Sequence, residues 1–468
     1  MRSRSDWKNC GLLLRLCHGA HCAERIAIPS RSTTDRWDQP AQELSPRPFC
    51  MSAALAATCL LLVGCATSNS SGGTSYQTSD HSSRQANESS QAEGFELRSD
   101  PQPLLGAETL RGLQAAEVRY RQIVANGGWP TIPGGSSFQP GEGGQRASLL
   151  AHRLSLSGDL SKSNGGGLGS ALQRFQLRHG LRATGIADRQ TIEELNIPAS
   201  VRLAQLRTNI ARIRELSNSV QSAKRYVVVN IPAFQLEAVE NGRVGRRHRV
   251  IVGRLERPTP SVSASINAVN FFPYWHVPES IARLDLIPRL QRDPEYLRRE
   301  KIRVLRDWQG EELASERINW NSAAVANLKF RQDPGEWNAL GLIRLDMPNE
   351  HKVYMHDTPM KKLFRQHWRA ISAGCVRVEN VDDLTAWVLR DVPGWGRSDI
   401  DRVLASNQPV DIALKTPMPV RFAYVTAWVN GEGQVEFRSD IYGRDGGVGL
   451  VAKLSTSDRE SDGPRLSP

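Results

Sequence analysis

The chain has 468 residues, with 60 Lys and Arg against 49 Asp and Glu, a formal charge of +11 and 39% hydrophobic residues. That length holds roughly two or three domains with real cores. The moderate positive charge suits a polyanionic surface such as a cell wall or lipid headgroups. Zinc-finger spacing, a P-loop and a basic stripe with interleaved aromatics are all lacking, which argues against nucleic acid.

In chain order, the first feature is a cysteine imbalance. Of seven cysteines, Cys10, Cys17, Cys22, Cys50, Cys59 and Cys65 lie at the front, and only Cys375 follows. The apolar run from Met51 is about a dozen residues, too short to span a bilayer as a mature helix. It reads as a signal-peptide core. It ends in Leu62-Val63-Gly64-Cys65 before small polar residues. This resembles the bacterial lipobox and makes Cys65 the expected lipidation site; the alternative is a plain signal peptide with a chance cysteine. Residues 1–65 are thus a doubtful N-terminal extension plus signal, with translation expected to start near residues 44–51. Residues 66–100 are Ser-, Gly-, Asn- and Gln-rich and too polar to offset their ordering entropy, so a disordered tether is expected there.

A helical part follows. Leu110 to Ala125 reads as a helix stopped by Asn126-Gly127-Gly128. A second helical block begins near Arg146. Ala171, Leu172 and Phe175 share a helical face, Gly180 ends that helix, and Asp188 is placed to N-cap a short one bearing Ile192 and Leu195. Leu203, Leu206, Ile210 and Ile213 then mark one amphipathic helix.

From Arg225 the period changes to two, with a hairpin turn at Glu240-Asn241-Gly242. Residues 284–340 are charged, with helical stretches, and read as an insertion. Strand character returns before His356, at a strand end ahead of Asp357-Thr358-Pro359. Cys375 comes 19 residues later, within Ser372-Ala373-Gly374-Cys375-Val376-Arg377. Asn380 is positioned to cap the next helix.

These residues fit thiolate chemistry. A neighbouring histidine can lower a thiol's pKa, take its proton and later protonate a leaving amine. Gly374 and Cys375 offer backbone N–H groups for an oxyanion, and Arg377 could grip a substrate carboxylate in a fork. Spacing alone leaves open an inert buried cysteine. A structural zinc site lacks a fourth ligand, so neither metal nor cofactor is expected.

Two resemblances narrow this. Phe175 to Asn196, with Phe175-Gln176, His179-Gly180-Leu181, Asp188, Thr191 and Leu195-Asn196, resembles the small three-helix peptidoglycan-binding domain. His356-Asp357-Thr358-Pro359, then Leu363, Phe364, Arg369 and the Ser372–Val378 segment, resemble the L,D-transpeptidase (YkuD-like) catalytic domain of the large periplasmic murein type. Gly127–Pro130, Phe272–Pro278, Asn338–Gly341 and Tyr424–Trp428 also fit that group.

The resemblance implies an α+β multidomain protein. A helical scaffold (101–145 and 198–222) holds a peptidoglycan-binding-like domain (146–197). A mostly-β catalytic domain (223–415, with a capping insertion at 284–340), a C-terminal hairpin (416–445) and a disordered tail (446–468) follow. It implies Cys375 as nucleophile, His356 as general acid/base, the Asp357 carbonyl orienting His356, and Gly374, Arg377 and Ser372 around the oxyanion and substrate. Ala373 stands where many members carry a second histidine. The implied partners are a tetrapeptide stem as donor and a diaminopimelate amine as acceptor, in the periplasm of a Gram-negative bacterium, with a lipid anchor in the membrane. The alternatives are L,D-carboxypeptidase trimming, lipoprotein attachment to the wall, and a non-catalytic wall-binding lipoprotein.

Overall fold

The structure is a computed structural model that describes residues 97, 99–161 and 165–446. The signal segment with Cys65, most of the tether and nearly all of the tail lie outside the described residues. Among those described, no helix is long and apolar enough to cross a membrane.

Among the described residues five helices come first: α1 (Ala107–Ala125), α2 (Gln145–Ser157), α3 (Leu168–Arg178), α4 (Arg189–Leu195) and α5 (Ala199–Asn218). Asp188 caps α4 by accepting the Thr191 N–H at 2.8 Å. α2, α3 and α4 enclose their own apolar cluster, with Leu150, Leu154, Leu172, Phe175 and Leu195 fully buried. α1 and α5 pack against each other and present Leu113, Tyr120, Leu206 and Ile213 to the strands that follow.

Those strands are β1 (Arg225–Asn230), β2 (Gln235–Glu240), β3 (Arg243–Gly253) and β4 (Val262–Phe271). The β2–β3 turn has Asn241 and Gly242 at φ 49° and 72°, the left-handed pair a tight hairpin needs. A second, smaller sheet holds β5 (Trp275–His276), β6 (Ile302–Leu305), β7 (Glu312–Leu313) and β8 (Lys329–Gln332) in the order β5-β8-β6-β7. The chain then returns to the first sheet through β9 (Ile343–Asp346), β10 (Met355–His356), β11 (Ala370–Ser372), β12 (Val376–Val378), α6 (Val381–Leu389), α7 (Arg397–Ser406) and β13 (Val410–Ala423). A hairpin of β14 (Ala427–Val429) and β15 (Val435–Phe437) ends it.

The large sheet runs β11-β3-β12-β10-β9-β4-β13-β1-β2, and β2 pairs back onto β3, so the sheet closes on itself. β1 illustrates the physics. Val227 and Val229 enter the core inside the sheet, while Tyr226 and Val228 face the scaffold helices. A strand buried on both faces reads as a continuous apolar run, as Tyr-Val-Val-Val does here.

The structure redraws two boundaries. β13 continues as one strand across residues 415 and 416, so the hairpin starts later, at Ala427. The Lys415–Pro419 stretch breaks the alternation because the register shifts between Ala413 and Met418, where Pro417 lies, before Pro419 pairs again opposite Ser265. The cap also starts earlier than 284, at Trp275, and is built on a sheet as much as on helices. One face of that sheet, with Trp275, Ile302, Val304 and Phe330, forms the cap's core. At α6, Asn380 occupies the cap position at φ 49°, but its side chain makes no capping bond.

Candidate active site

β10 lies between β9 and β12 and runs parallel to β12, pairing Met355 with Val376 and His356 with Arg377. The Tyr354 carbonyl accepts the Val376 N–H at 3.1 Å, which sets Tyr354 beside Cys375. Alternate residues of a strand share a face. Tyr354, His356, Cys375 and Arg377 therefore project together, and Arg344 joins them by pairing with His356 across β9. The Cα atoms of Cys375 and His356 are one strand spacing and two residues apart, roughly 8 Å by strand geometry. His356 is fully buried and Cys375 is 8% exposed.

The turn before Cys375 is tied down from within. Gly374 takes φ 126°, which a side chain would strain. Ser372 Oγ donates to the Cys375 carbonyl at 2.7 Å and accepts the Gly374 N–H at 3.2 Å. Thr259 Oγ1 donates to the Gly374 carbonyl and accepts the Gly253 N–H, both at 2.8 Å. Two expectations change as a result. Ser372 is fully buried and shapes the turn instead of facing a substrate. The Gly374 N–H of the expected oxyanion pair is engaged by Ser372.

Burial dominates the electrostatics. It pushes the Cys375 thiol up to about 11, although the main chain and hydroxyl of Tyr354, then Arg377 and Arg344, favour the thiolate. Burial, reinforced by the Arg377 and Arg344 charges, drives His356 down to about 3, against the pull of the Asp357 and Leu340 main chain. Neither ring nitrogen makes a well-formed hydrogen bond. The resting pair is thus neutral thiol and neutral imidazole. Tyr354 is pushed well above its usual range by burial and by Cys375. Its ring meets that of His356 edge-on at 5.7 Å.

Asp357 is itself held on several sides. Its N–H donates to Ile343 and its carboxylate accepts the Leu342 N–H at 3.0 Å while pairing with Lys361. Gly341, at φ 62°, lies so close that an added Cβ would stand 2.5 Å from the Asp357 side chain. Asn338 closes the same turn, donating to the Pro273 carbonyl at 3.0 Å and accepting from the Leu340 N–H at 2.8 Å. The Asn338–Gly341 motif therefore joins the cap to the strand carrying His356.

The cap covers this face. Tyr354 and Ala373 pack against its apolar core, so a methyl at 373 meets apolar cap surface where a histidine would bury a polar ring. Arg377, 3% exposed, lines a narrow crevice between Tyr296 and Trp337 of the cap and Thr358 and Met360 of the body. On the other flank, Asp285 pairs with Arg257 and, at 3.5 Å, with Arg254, in the loop that Thr259 ties to Gly374. Tyr354, Arg344 and Thr259 were not singled out from the sequence. Only Tyr354 left a usable trace there, two residues before His356 in a strand. Among the described residues, no group of three or more His, Cys, Asp or Glu side chains is placed to hold a metal.

A closed, mostly-β sheet with cysteine and histidine on adjacent strands beneath an inserted cap, preceded by a three-helix module, defines the class. Residues 224–417 match the family described as L,D-transpeptidase catalytic domain, and residues 148–195 match the one described as "Putative peptidoglycan binding domain". The chain thus carries a stretch similar to L,D-transpeptidase catalytic domains behind one similar to peptidoglycan-binding domains. A curated relative from Haemophilus influenzae, named "Putative L,D-transpeptidase", is 34% identical over 271 residues, 56% of this chain and 53% of that one. The chain therefore spans about half the length of that relative. Solved structures it resembles include an L,D-transpeptidase from Mycobacterium smegmatis (15% identity, 42% of this chain and 58% of that one, TM-score 0.22). Another is from Stackebrandtia nassauensis (14% identity, 63% and 96%, TM-score 0.22).

Proposed function

We propose that this protein is a peptidoglycan L,D-transpeptidase working through a cysteine thioester in the cell envelope, held at a membrane by a lipid on Cys65. The observation that carries the reading is the placement of Cys375 and His356 on one sheet face, inside the matched catalytic domain. In the proposed cycle, His356 takes the Cys375 proton as sulfur attacks the carbonyl of the third stem residue. The Cys375 N–H and the Tyr354 hydroxyl face the developing oxyanion. The carbon–nitrogen bond to the terminal D-alanine breaks, and His356 returns the proton to the leaving amine. An amine of a second stem then attacks the thioester and gives up a proton to His356. The new amide forms, and that proton returns to the leaving sulfur.

The neutral resting pair gives the cap a role. Opening hydrates both groups and eases the ionisation that burial opposes. Closure over the thioester excludes water, which favours the amine over hydrolysis. The test mixes the chain from about residue 97 onward with disaccharide-tetrapeptide and reads intact mass at short times and products at long times. We expect a transient adduct with loss of D-alanine, then cross-linked dimers, and neither with Cys375→Ala. An adduct followed only by tripeptide would make the enzyme an L,D-carboxypeptidase. No adduct would leave a wall-binding protein.

A further inference from the structure

The inner face of the cap sheet is its core, but the outer face is not bare polar surface. Tyr274, His276 and Arg331 lie on that outer side, with His276 and Arg331 directly paired across β5 and β8. The Arg331 guanidinium stands over the Tyr274 ring at 4.8 Å, and the Trp308 indole meets His276 edge-on at 4.8 Å. Tyr274 is 43% and Trp308 42% exposed, and both belong to the small set of large hydrophobic side chains left open to solvent among the described residues. Arg331 has no carboxylate at ion-pair distance there, whereas Arg303 on the adjacent strand is shared by Glu312 and Asp333.

The strip also leads to the reacting atoms. His276 is close enough to Arg331 and Arg344 that partial burial and their two charges lower its pKa. Arg344 stands 5.6 Å from the Tyr354 ring centre, and its charge acts on both His356 and Cys375. Aromatic faces and arginines thus alternate from Trp308 to the nucleophile, with Arg344 shared with Asp346 at 3.4 Å. The polymer implied by the proposed function has matching chemistry. Sugar rings offer flat C–H faces that stack on indole and phenol rings, and the peptide stems carry carboxylates for arginines.

We propose that the outer cap face, from Trp308 and Tyr274 through His276 and Arg331 to Arg344, is a binding groove for the sugar-bearing part of a peptidoglycan strand. It would seat a disaccharide against the two exposed rings and guide its stem towards Cys375. The groove rests on the wall-directed reading above, and the test separates the two.

The full chain carrying Cys375→Ala is titrated with disaccharide-tetrapeptide and with the same tetrapeptide lacking sugar. The sugar should tighten binding by about tenfold, the scale of two aromatic contacts. Trp308→Ala should erase most of that gain and Trp308→Phe should keep much of it. Trp308 is half out of the protein, and an unchanged melting temperature checks that the fold survives. Equal affinity for the two probes overturns the groove. So does a gain that survives Trp308→Ala, which would move sugar recognition to the three-helix module. Thioester formation by the wild-type chain on the sugar-free stem is read in parallel. If it occurs while the sugar gain is absent, only the groove is wrong; if it is absent too, the activity reading falls with it.

Discussion

The catalytic body meets two other parts of the chain, and the two junctions are made differently. At the hairpin, the three-helix module is joined by buried charge. Arg178 pairs with Asp159, and both side chains are almost wholly buried. Arg178 donates onward to the Val435 carbonyl, and Arg438 donates back to the Arg178 carbonyl at 3.1 Å. His179 stacks between Phe175 and Phe437. The cap instead keeps a separate apolar core that reaches the site through Tyr354 and Ala373, and its Asp285–Arg254–Arg257 contact is partly open to solvent. Water and salt compete at the second junction and cannot at the first. The contrast argues for a module at fixed distance from the site and a cap able to move.

The sharpest way to break this contrast is Arg178→Ala. It strands Asp159 without its partner in a buried place, so we expect a loss of roughly 3–5 kcal/mol in denaturant unfolding. A loss below about 1 kcal/mol would mean that water already reaches the module junction.

Acid distinguishes the junctions more finely. Burial pushes His179 well below its ordinary value, and His356 falls to about 3. Both are neutral when folded and charge more readily when unfolded. Each therefore contributes stability above pH 6.5 that is lost as pH falls, at up to about 1.4 kcal/mol per pH unit. His179 can be hydrated only by breaking the module junction, whereas cap opening alone hydrates His356. Urea unfolding between pH 4 and 7 should show a flatter acid limb for His179→Asn and a smaller change for His356→Asn. Equal flattening would mean that the cap does not open short of global unfolding.

Tyr354 tests the interior of the cap junction. Tyr354→Phe keeps the ring that packs on the cap and removes the hydroxyl that favours the thiolate. Acylation should slow by roughly tenfold with little change in KM, since one hydrogen bond to a developing charge is lost. A rise in KM alone would put Tyr354 in substrate binding instead.

Much of this was legible in the sequence because it is local. The period of two from Arg225, the Asn241-Gly242 turn and the Asp188 cap depend on residues a few positions apart. The juxtaposition of His356 and Cys375 came only through motifs, since the pairing of β10 with β12 spans 19 residues that include β11, a strand paired elsewhere in the sheet. What stayed hidden is long-range. Ser372 looks substrate-facing until its hydroxyl is seen bonded within its own turn. The β-content of the cap is masked by charges on its outer face, where Arg303 and Arg331 alternate with buried residues. The boundary at 415/416 falls inside β13, where the register shifts between Ala413 and Met418 and breaks the alternation that marks a strand. Ala373, a mere departure from pattern in the sequence, is where the cap rests.

The smallest expected effect on stability bears most directly on function. Asp285→Ala removes a carboxylate shared by two arginines at a site about a quarter exposed, so the global loss should stay below about 1 kcal/mol. Its effect should be read at Cys375. With its pKa raised from 9.0 to about 11, the buried thiol should react with a small alkylating reagent about a hundredfold more slowly at pH 7 than an exposed one. Loosening the cap hydrates the thiol and lowers that value, so Asp285→Ala should speed alkylation severalfold while the melting temperature barely moves. High salt should do the same to the wild-type protein and add little to the variant, because it screens the same pair. An unchanged alkylation rate would place the opening elsewhere, with the Asn338–Gly341 turn as the next part of the cap to loosen.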